Sequence, residues 1–185
     1  MLVVLSDTHR TEGTGLVDAA ADAVADADLV LHAGDFTTEA VLDAFHDAAE
    51  RRSAGSQTQS DDAAADVRAV YGNRDSDAVS DRLPEATTLS YAGVRIAATH
   101  RQRGGTTGLA MFGRERGADL VVSGHTHRPL VDQEGAVTLL SPGSHADPRG
   151  AKQSFAVLEP TANGLAGRLT TVDGETFDRF TVENE

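Results

Sequence analysis

Residues 28–35 read "DLVLHAGD", and this stretch decides the fold. An apolar run this short, stopped by Gly34-Asp35, reads as a buried strand. Before it, Leu16, Ala20, Ala23, Val24 and Ala27 recur at helical spacing and predict a helix over 14–27. A second short apolar strand, "LVVLS" at 2–6, precedes that helix. After it, Val41, Leu42 and Phe45 mark an amphipathic helix over 38–50. Strand, helix, strand, helix is the opening of an α/β protein with parallel strands.

Farther out, "VRAVYGN" at 67–73 restores a strand, and strands at 87–91 and 94–99 flank a hairpin turn at Gly93. A helix near 106–117 stops at Gly117, and a strand follows at 119–123. The last third is strand-like at 136–141, 154–159, 165–172 and 176–182. Parallel units followed by antiparallel strands predict two sheets packed together with helices outside. Residues 51–66, "RRSAGSQTQSDDAAAD", lack apolar periodicity and read as a mobile surface insertion. No internal repeat or linker divides the chain, so residues 1–185 read as one domain.

Composition excludes several functions. No run of eighteen apolar residues exists, and "MLVVLSDTHR" meets a charge too early for a signal peptide, so a soluble cytoplasmic protein without membrane contact is expected. With no cysteine, disulfides and thiolate metal sites are excluded. There are 29 acidic and 16 basic residues, and Lys152 is the sole lysine. Such a surface suits a salt-loaded (halophilic) cytoplasm, where the Debye length falls to about 3 Å near 1 M salt and self-repulsion is screened. A net charge of -13 argues against a stable complex with nucleic acid, which needs a basic face.

Chemistry concentrates where the strands end. Five of them close on Ser6-Asp7-Thr8-His9, Gly34-Asp35, Gly72-Asn73, Thr99-His100 and Gly124-His125-Thr126-His127. Loops at the carboxyl ends of parallel strands converge on one crevice, so two Asp, one Asn and four His are expected to meet there. Glycines before Asp35, Asn73 and His125 allow the sharp turns that aim these side chains inward. On an extended segment His125 and His127 share a face, while Thr126 points away. Oxygen and imidazole donors without sulfur suit Mn, Fe, Zn, Ni or Mg, and seven donors suit two ions with a bridging carboxylate.

D-x-H, G-D, G-N, T-H and G-H-T-H, in this order, resemble the calcineurin-like metallophosphoesterases. The length and "GHTHRP…SPGS" are similar to their small prokaryotic phosphodiesterase branch. The resemblance spans Asp7 to Ser144 and implies a four-layer α/β/β/α sandwich with two mixed β-sheets. It implies one divalent ion on Asp7, His9, Asp35 and His127 and a second on Asp35, Asn73, His100 and His125. Asp35 would bridge the two, with manganese favoured. A metal-bridging hydroxide would then be the nucleophile of a phosphodiesterase.

Three positions depart from the pattern. Arg74 stands in "GNRD", where relatives carry a histidine able to protonate the leaving group; a guanidinium cannot donate that proton near neutrality. Gln102 replaces a second histidine after His100, and Arg10 replaces a glycine after His9. Arg10, Arg74, Arg101 and Arg128 each follow a proposed ligand, with Arg103 close by. They are expected to form a positive pocket for a small anionic phosphate ester, the plainer alternatives being charge neutralisation of nearby Asp residues or a surface position pointing away. Asn73, Arg74 and Asp75 form the expected catalytic segment, with Asp75 orienting Arg74 or a histidine, or else capping a helix.

His32 reads as a hydrogen-bonded core residue, His46 as solvated, and His145 as a surface residue or a substrate contact. The expected activity is therefore hydrolysis of a phosphoric ester, a diester first. The alternatives are a phosphomonoesterase and a non-catalytic retromer-type scaffold of the same fold, which would have no reason to retain all seven ligand types. A homo-oligomer is compatible with the sequence.

Overall fold

The computed structural model describes residues 1–50 and 66–184. The expected mobile insertion at 51–66 lies outside the described residues except for Asp66, which begins a strand. In chain order the elements are β1 (Leu2–Leu5), α1 (Asp18–Asp26), β2 (Leu29–His32), α2 (Glu39–Glu50), β3 (Asp66–Ala69), α3 (Asp77–Arg82), β4 (Ala86–Tyr91) and β5 (Val94–Thr99). There follow α4 (Gly105–Arg114), β6 (Leu120–Val122), β7 (Pro129–Glu134), β8 (Val137–Pro142), β9 (Ser154–Thr161), β10 (Gly164–Thr171) and β11 (Thr176–Glu183).

The strands form two mixed sheets. The first runs β11-β10-β9-β1-β2-β3, with β1, β2 and β3 parallel and β9 to β11 antiparallel. The second runs β4-β5-β6-β8-β7, parallel through β5, β6 and β8, with an antiparallel strand at each edge.

Side-chain alternation explains the layering. Leu2 and Val4 of β1 join Leu29 and Leu31 of β2 in a core shared with Ile96, Ala98, Leu120 and Val122 of the other sheet. Val3, Leu5 and Val30 point the opposite way and pack with Val24 of α1 and Val41, Leu42 and Phe45 of α2. On the far side, Ala97, Val121 and Leu139 pack with Ala110 and Phe112 of α4. Strands β1, β2, β6 and β8 are buried on both faces, as in "LVVL" and "LVLH". The result is the expected α/β/β/α sandwich.

Four expectations about elements need correction, and two elements were missed: besides the two bounds below, β3 ends at Ala69 and not at 73, and α4 ends at Arg114 and not at Gly117. The first helix begins at Asp18, not at 14, because Gly15 is left-handed (φ 66°) and Val17 is extended. Strand β2 ends at His32, so Ala33-Gly34-Asp35 already belongs to the loop. Helix α3 is only six residues long and buries just Val79, too little for a periodic signal. Strand β7 is an edge strand that starts with a proline, directly after the histidine-rich loop.

The topology places the chemistry. Strands β1, β2 and β3 end at one rim of the first sheet and β5 and β6 at the same rim of the second. Hydrogen bonds tie those ends together: Asp7 N–H to Gly34 O (2.9 Å), His9 N–H to Asp35 O (3.0 Å), and, across the sheets, His125 N–H to the Asp7 carboxylate (3.0 Å to Oδ2).

Candidate metal centre

Seven residues singled out by the sequence stand at this rim. The donor atoms of Asp7, His9 and His127 lie within 4.8 Å of one another, as do those of Asp7, Asp35 and His100. Asp7 is common to both groups. Asp35 Oδ2 lies 3.1 Å from His9 Nε2 and 3.3 Å from His100 Nε2, so one carboxylate oxygen stands between histidines of the two groups. His127 Nε2 lies 3.3 Å from Asp7 Oδ1, and its ring stacks on that of His9 at 4.8 Å. Asp7, Asp35, His100 and His127 are buried and His9 is half-buried. His125 and Asn73 are exposed at the edge of the cluster, the His125 ring 5.3 Å from that of His100. The structure thus draws five of the seven into two tight groups and leaves His125 and Asn73 beside them.

The backbone at these positions is unusual. Among the described residues nine non-glycine positions have positive φ, and Asp7, His9, Asp35, His125 and His127 account for five of them. A left-handed conformation with a Cβ is strained by about 1–3 kcal/mol and persists only where the surroundings hold it. The side chains are aimed by this strain, not by the preceding glycines alone. Nor do His125 and His127 share a face of an extended strand, since β6 ends at Val122 and both residues are left-handed.

Of the three glycines, only Gly34 has positive φ (92°). Gly72 and Gly124 instead make room: a Cβ on Gly72 would lie 2.2 Å from Asp35 Oδ1, and one on Gly124 would lie 2.0 Å from Ser6 Oγ.

Each buried imidazole has its second nitrogen fixed. His100 Nδ1 donates to Ala33 O at 2.7 Å, and His127 Nδ1 donates to Asp147 O. A carbonyl can only accept, so in the neutral rings Nε2 carries the lone pair and faces the carboxylates. His9 Nε2 and His100 Nε2 are buried and make no directed hydrogen bond, although each has Asp35 in reach.

The carboxylates favour the protonated form of the imidazoles beside them. Asp35, then Asp7, raises His9 to about 9 against the opposing effect of burial. Burial presses His100 down most strongly, but Asp35 outweighs it and the net shift is upward. Burial would raise Asp35, yet His100, His9 and the Arg74 N–H together hold it well below the usual carboxylate range. Buried carboxylates set against the Nε2 atoms of several imidazoles are a donor set suited to divalent cations.

Two residues support the cluster without belonging to it. Asp75 accepts N–H bonds from Gly72 (2.7 Å), Asp35 (3.0 Å) and Thr37 (2.6 Å), stapling the loop after β2 to the loop after β3. It does not cap α3, whose N-cap is Ser76, and its hydrogen bonds go to backbone N–H groups rather than to a histidine. Burial pushes its carboxyl above the ordinary value, against the pull of these N–H groups. Ser144, which the sequence did not mark as functional, donates to Asp7 O at 2.7 Å and accepts from Asp147 N at 2.8 Å. Because Asp147 O holds His127, Ser144 fixes two residues of one group. Only the family's "SPGS" resemblance hinted at this loop.

The remaining expectations fall as follows. His32 is a core histidine: its Nδ1 accepts from Gly34 N–H at 3.2 Å, so Nε2 donates to Thr8 Oγ1 at 2.9 Å. His145 is not a surface residue; it is 1% exposed, donates from Nε2 to Thr14 O at 2.9 Å, and burial lowers it to about 4. His46 is half-buried on α2.

Arg10, Arg74, Arg101 and Arg128 are all exposed, as is Arg103. Arg74 is held at the cluster by its N–H, 2.7 Å from Asp35 Oδ1, and the Arg10 Nε donates to Glu12 O at 3.4 Å. Among the described residues none of the five enters an ion pair, whereas Arg68, Arg82, Arg149 and Arg168 each pair with a carboxylate. Charge neutralisation of neighbouring acids thus has no ion pair to support it among the described residues, while the exposure of all five fits a surface position as well as a pocket.

Comparison with known proteins agrees with this geometry. Residues 1–163 match the calcineurin-like phosphoesterase superfamily domain. A protein of Methanocaldococcus jannaschii named "Probable metallophosphoesterase" is 32% identical over 163 residues, covering 85% of this chain and 74% of the relative. Another of the same name from Methanothermobacter thermautotrophicus is 30% identical over 182 residues, covering 96% and 89%.

Among solved structures, a single mutant of Vps29 from Entamoeba histolytica superposes with a TM-score of 0.74 at 21% identity, covering 98% of this chain and 99% of that one. Wild-type Vps29 of the same organism, complexed with Zn2+, gives 0.72 at 22%, covering 97% and 98%. A phosphoesterase-like protein of Streptococcus pneumoniae gives 0.64 at 22%, covering 97% and 96%. The structural likenesses establish the fold, and the sequence matches establish the kinship. The chain is a member of the calcineurin-like phosphoesterase superfamily.

Proposed function

We propose that the chain acts as a single metallophosphoesterase domain that hydrolyses a small phosphodiester with two divalent ions. The observation that carries this reading is a pair of adjacent donor groups, with Asp35 Oδ2 lying 3.1 Å from His9 Nε2 in one and 3.3 Å from His100 Nε2 in the other. Asp7, His9, Asp35 and His127 would hold one ion, and Asp35, Asn73, His100 and His125 the other. Manganese is favoured, with Fe, Ni, Zn and Mg as alternatives; the zinc complex of an Entamoeba neighbour adds weight to zinc. When bound, such ions supply Lewis acidity and activate water.

The chain's own residues do the rest. The Ala33 and Asp147 carbonyls hold the imidazoles in the tautomer that presents a lone pair. Asp75 keeps the Asp35 and Asn73 loops in register. Arg10, Arg74, Arg101 and Arg128 are the proposed substrate contacts, charged groups left free to meet phosphoryl oxygens. Among the described residues no helix is long and apolar enough to cross a membrane. We place the protein in a salt-rich cytoplasm on its acid excess and single lysine.

The likeness to Vps29 favours a second reading, a binding protein that uses the fold without catalysis. Against it stand all seven ligand types and the strain invested in five of them. One experiment separates the readings: strip the protein with chelator, restore Mn, Ni, Zn or Mg at high salt, and assay bis(4-nitrophenyl) phosphate beside 4-nitrophenyl phosphate. The diester is expected to be the better substrate. Faster cleavage of the monoester would make the protein a monoesterase, and no cleavage of either would leave the binding protein.

A further inference from the structure

Two features of the rim point to a narrower substrate class than phosphodiesters in general. The first is the want, among the described residues, of a proton donor for the leaving oxygen. Of the seven histidines, four are proposed ligands. His32 spends both nitrogens in the core, and His145 is turned to Thr14 O. His46 lies on the helical layer outside the first sheet. The two other carboxyls that touch the cluster are also taken: Asp75 by three N–H groups, and Asp147 by Arg149 at 3.1 Å. At the position beside Asn73 stands Arg74, and a guanidinium has no proton to give near neutrality.

The second feature is surplus positive charge. Arg74, Arg101, Arg103 and Arg128 are exposed and enter no ion pair among the described residues, in a chain of net charge -13. A phosphodiester carries one negative charge, fewer than these guanidinium groups can bind.

Building on the phosphoesterase reading, we propose that the site is specific for phosphoanhydrides, substrates with a P–O–P linkage between two charged phosphoryl groups. A water oxygen forms a bond to one phosphorus, the bridging P–O bond breaks, and its electron pair stays on the departing phosphate oxygen. The water supplies the new P–OH oxygen and releases one proton to solvent. A departing phosphate is stable as an anion and needs no proton from the enzyme, which matches the missing acid. Its growing charge, and the second phosphoryl group before cleavage, are what the free arginines meet.

The test uses two adenine dinucleotides that differ in their linkage, P1,P2-di(adenosine-5′) diphosphate and adenylyl-(3′→5′)-adenosine, beside bis(4-nitrophenyl) phosphate, all on metal-loaded protein. The anhydride is expected to exceed the alkyl diester in kcat/KM by at least about 10-fold. In an R74Q/R128Q double variant, the anhydride should lose about 10-fold more than the aryl diester.

A readout independent of catalysis is calorimetric binding to the metal-free protein. There, inorganic pyrophosphate is expected to bind about 10-fold more tightly than orthophosphate. Cleavage of the aryl diester with equal rates on the two dinucleotides, or equal binding of pyrophosphate and orthophosphate, overturns the anhydride proposal alone. Cleavage of nothing with any metal overturns the phosphoesterase reading and this one with it.

Discussion

The two sheets bring different chemistry to their shared rim. The first contributes Asp7 and Asp35 and the amide of Asn73 from the ends of β1, β2 and β3, with His9 as its one imidazole. The second contributes imidazoles only, His100 after β5 and His125 and His127 after β6. The first half brings both carboxylates and a single imidazole, and the second brings imidazoles without a carboxylate, so only together do they assemble a mixed oxygen and nitrogen donor set. The cluster exists because the inter-sheet core holds the two rims within hydrogen-bonding distance, as the bonds His100 Nδ1–H to Ala33 O and His125 N–H to Asp7 show. Each half also has its own support, Asp75 under the first sheet's loops and Ser144 between Asp7 and the His127 loop.

This division can be broken at its joint. Asp35→Asn removes the carboxylate oxygen that stands between His9 and His100. It should cost the most, a loss of metal from both groups and a rate loss beyond the roughly 100-fold at which supporting residues top out. Metal content by mass spectrometry and the aryl diester assay check it, and an Asp35→Asn protein with both metals and full rate would refute the bridging role.

Asp75→Asn is next, because an amide cannot accept three N–H bonds as a carboxylate does. About 10- to 100-fold weaker metal binding is expected, most at the Asp35 and His100 group. Ser144→Ala acts on the other side. It should weaken binding by about 10-fold, chiefly at the Asp7, His9 and His127 group, so that metal titrations of the two variants lose different sites. If both variants lose the same site, the two supports are not separate.

The smallest effect concerns His145, which lies outside the cluster and is kept neutral by burial, at about 4 in the fold against 6.5 when unfolded. Between these values the unfolded chain binds more protons than the native one, so stability present above pH 6.5 is lost as pH falls toward 4. In His145→Gln protein this slope should flatten. A difference of about 3 °C in Tm between variant and wild type should close over that range, measured on metal-free protein.

The convergence of the candidate donors was legible in the sequence because each follows a short apolar strand with a glycine or small polar residue before it, and loops after parallel strands share one crevice. The layers were legible because Leu2-Val3-Val4-Leu5 can only be a strand with two buried faces. Less was visible in the local geometry. The glycines suggested turning at Gly72 and Gly124, where the need is for space, and the His125 and His127 pair suggested a strand where the chain is left-handed. His145 looked peripheral because its burial depends on Thr14, far away in sequence.

The sequence by itself determined which residues can meet a metal and at which end of which strand they stand, since strand period and loop position are local properties. Only the tertiary structure decided that Asp7 belongs to both donor groups. It also decided which imidazole nitrogen faces inward, and that Ser144 and Asp75 hold the frame. Those contacts join segments as far apart as 137 positions, as between Ser144 and Asp7, and no local pattern encodes a distance between atoms brought together by the packing of two sheets.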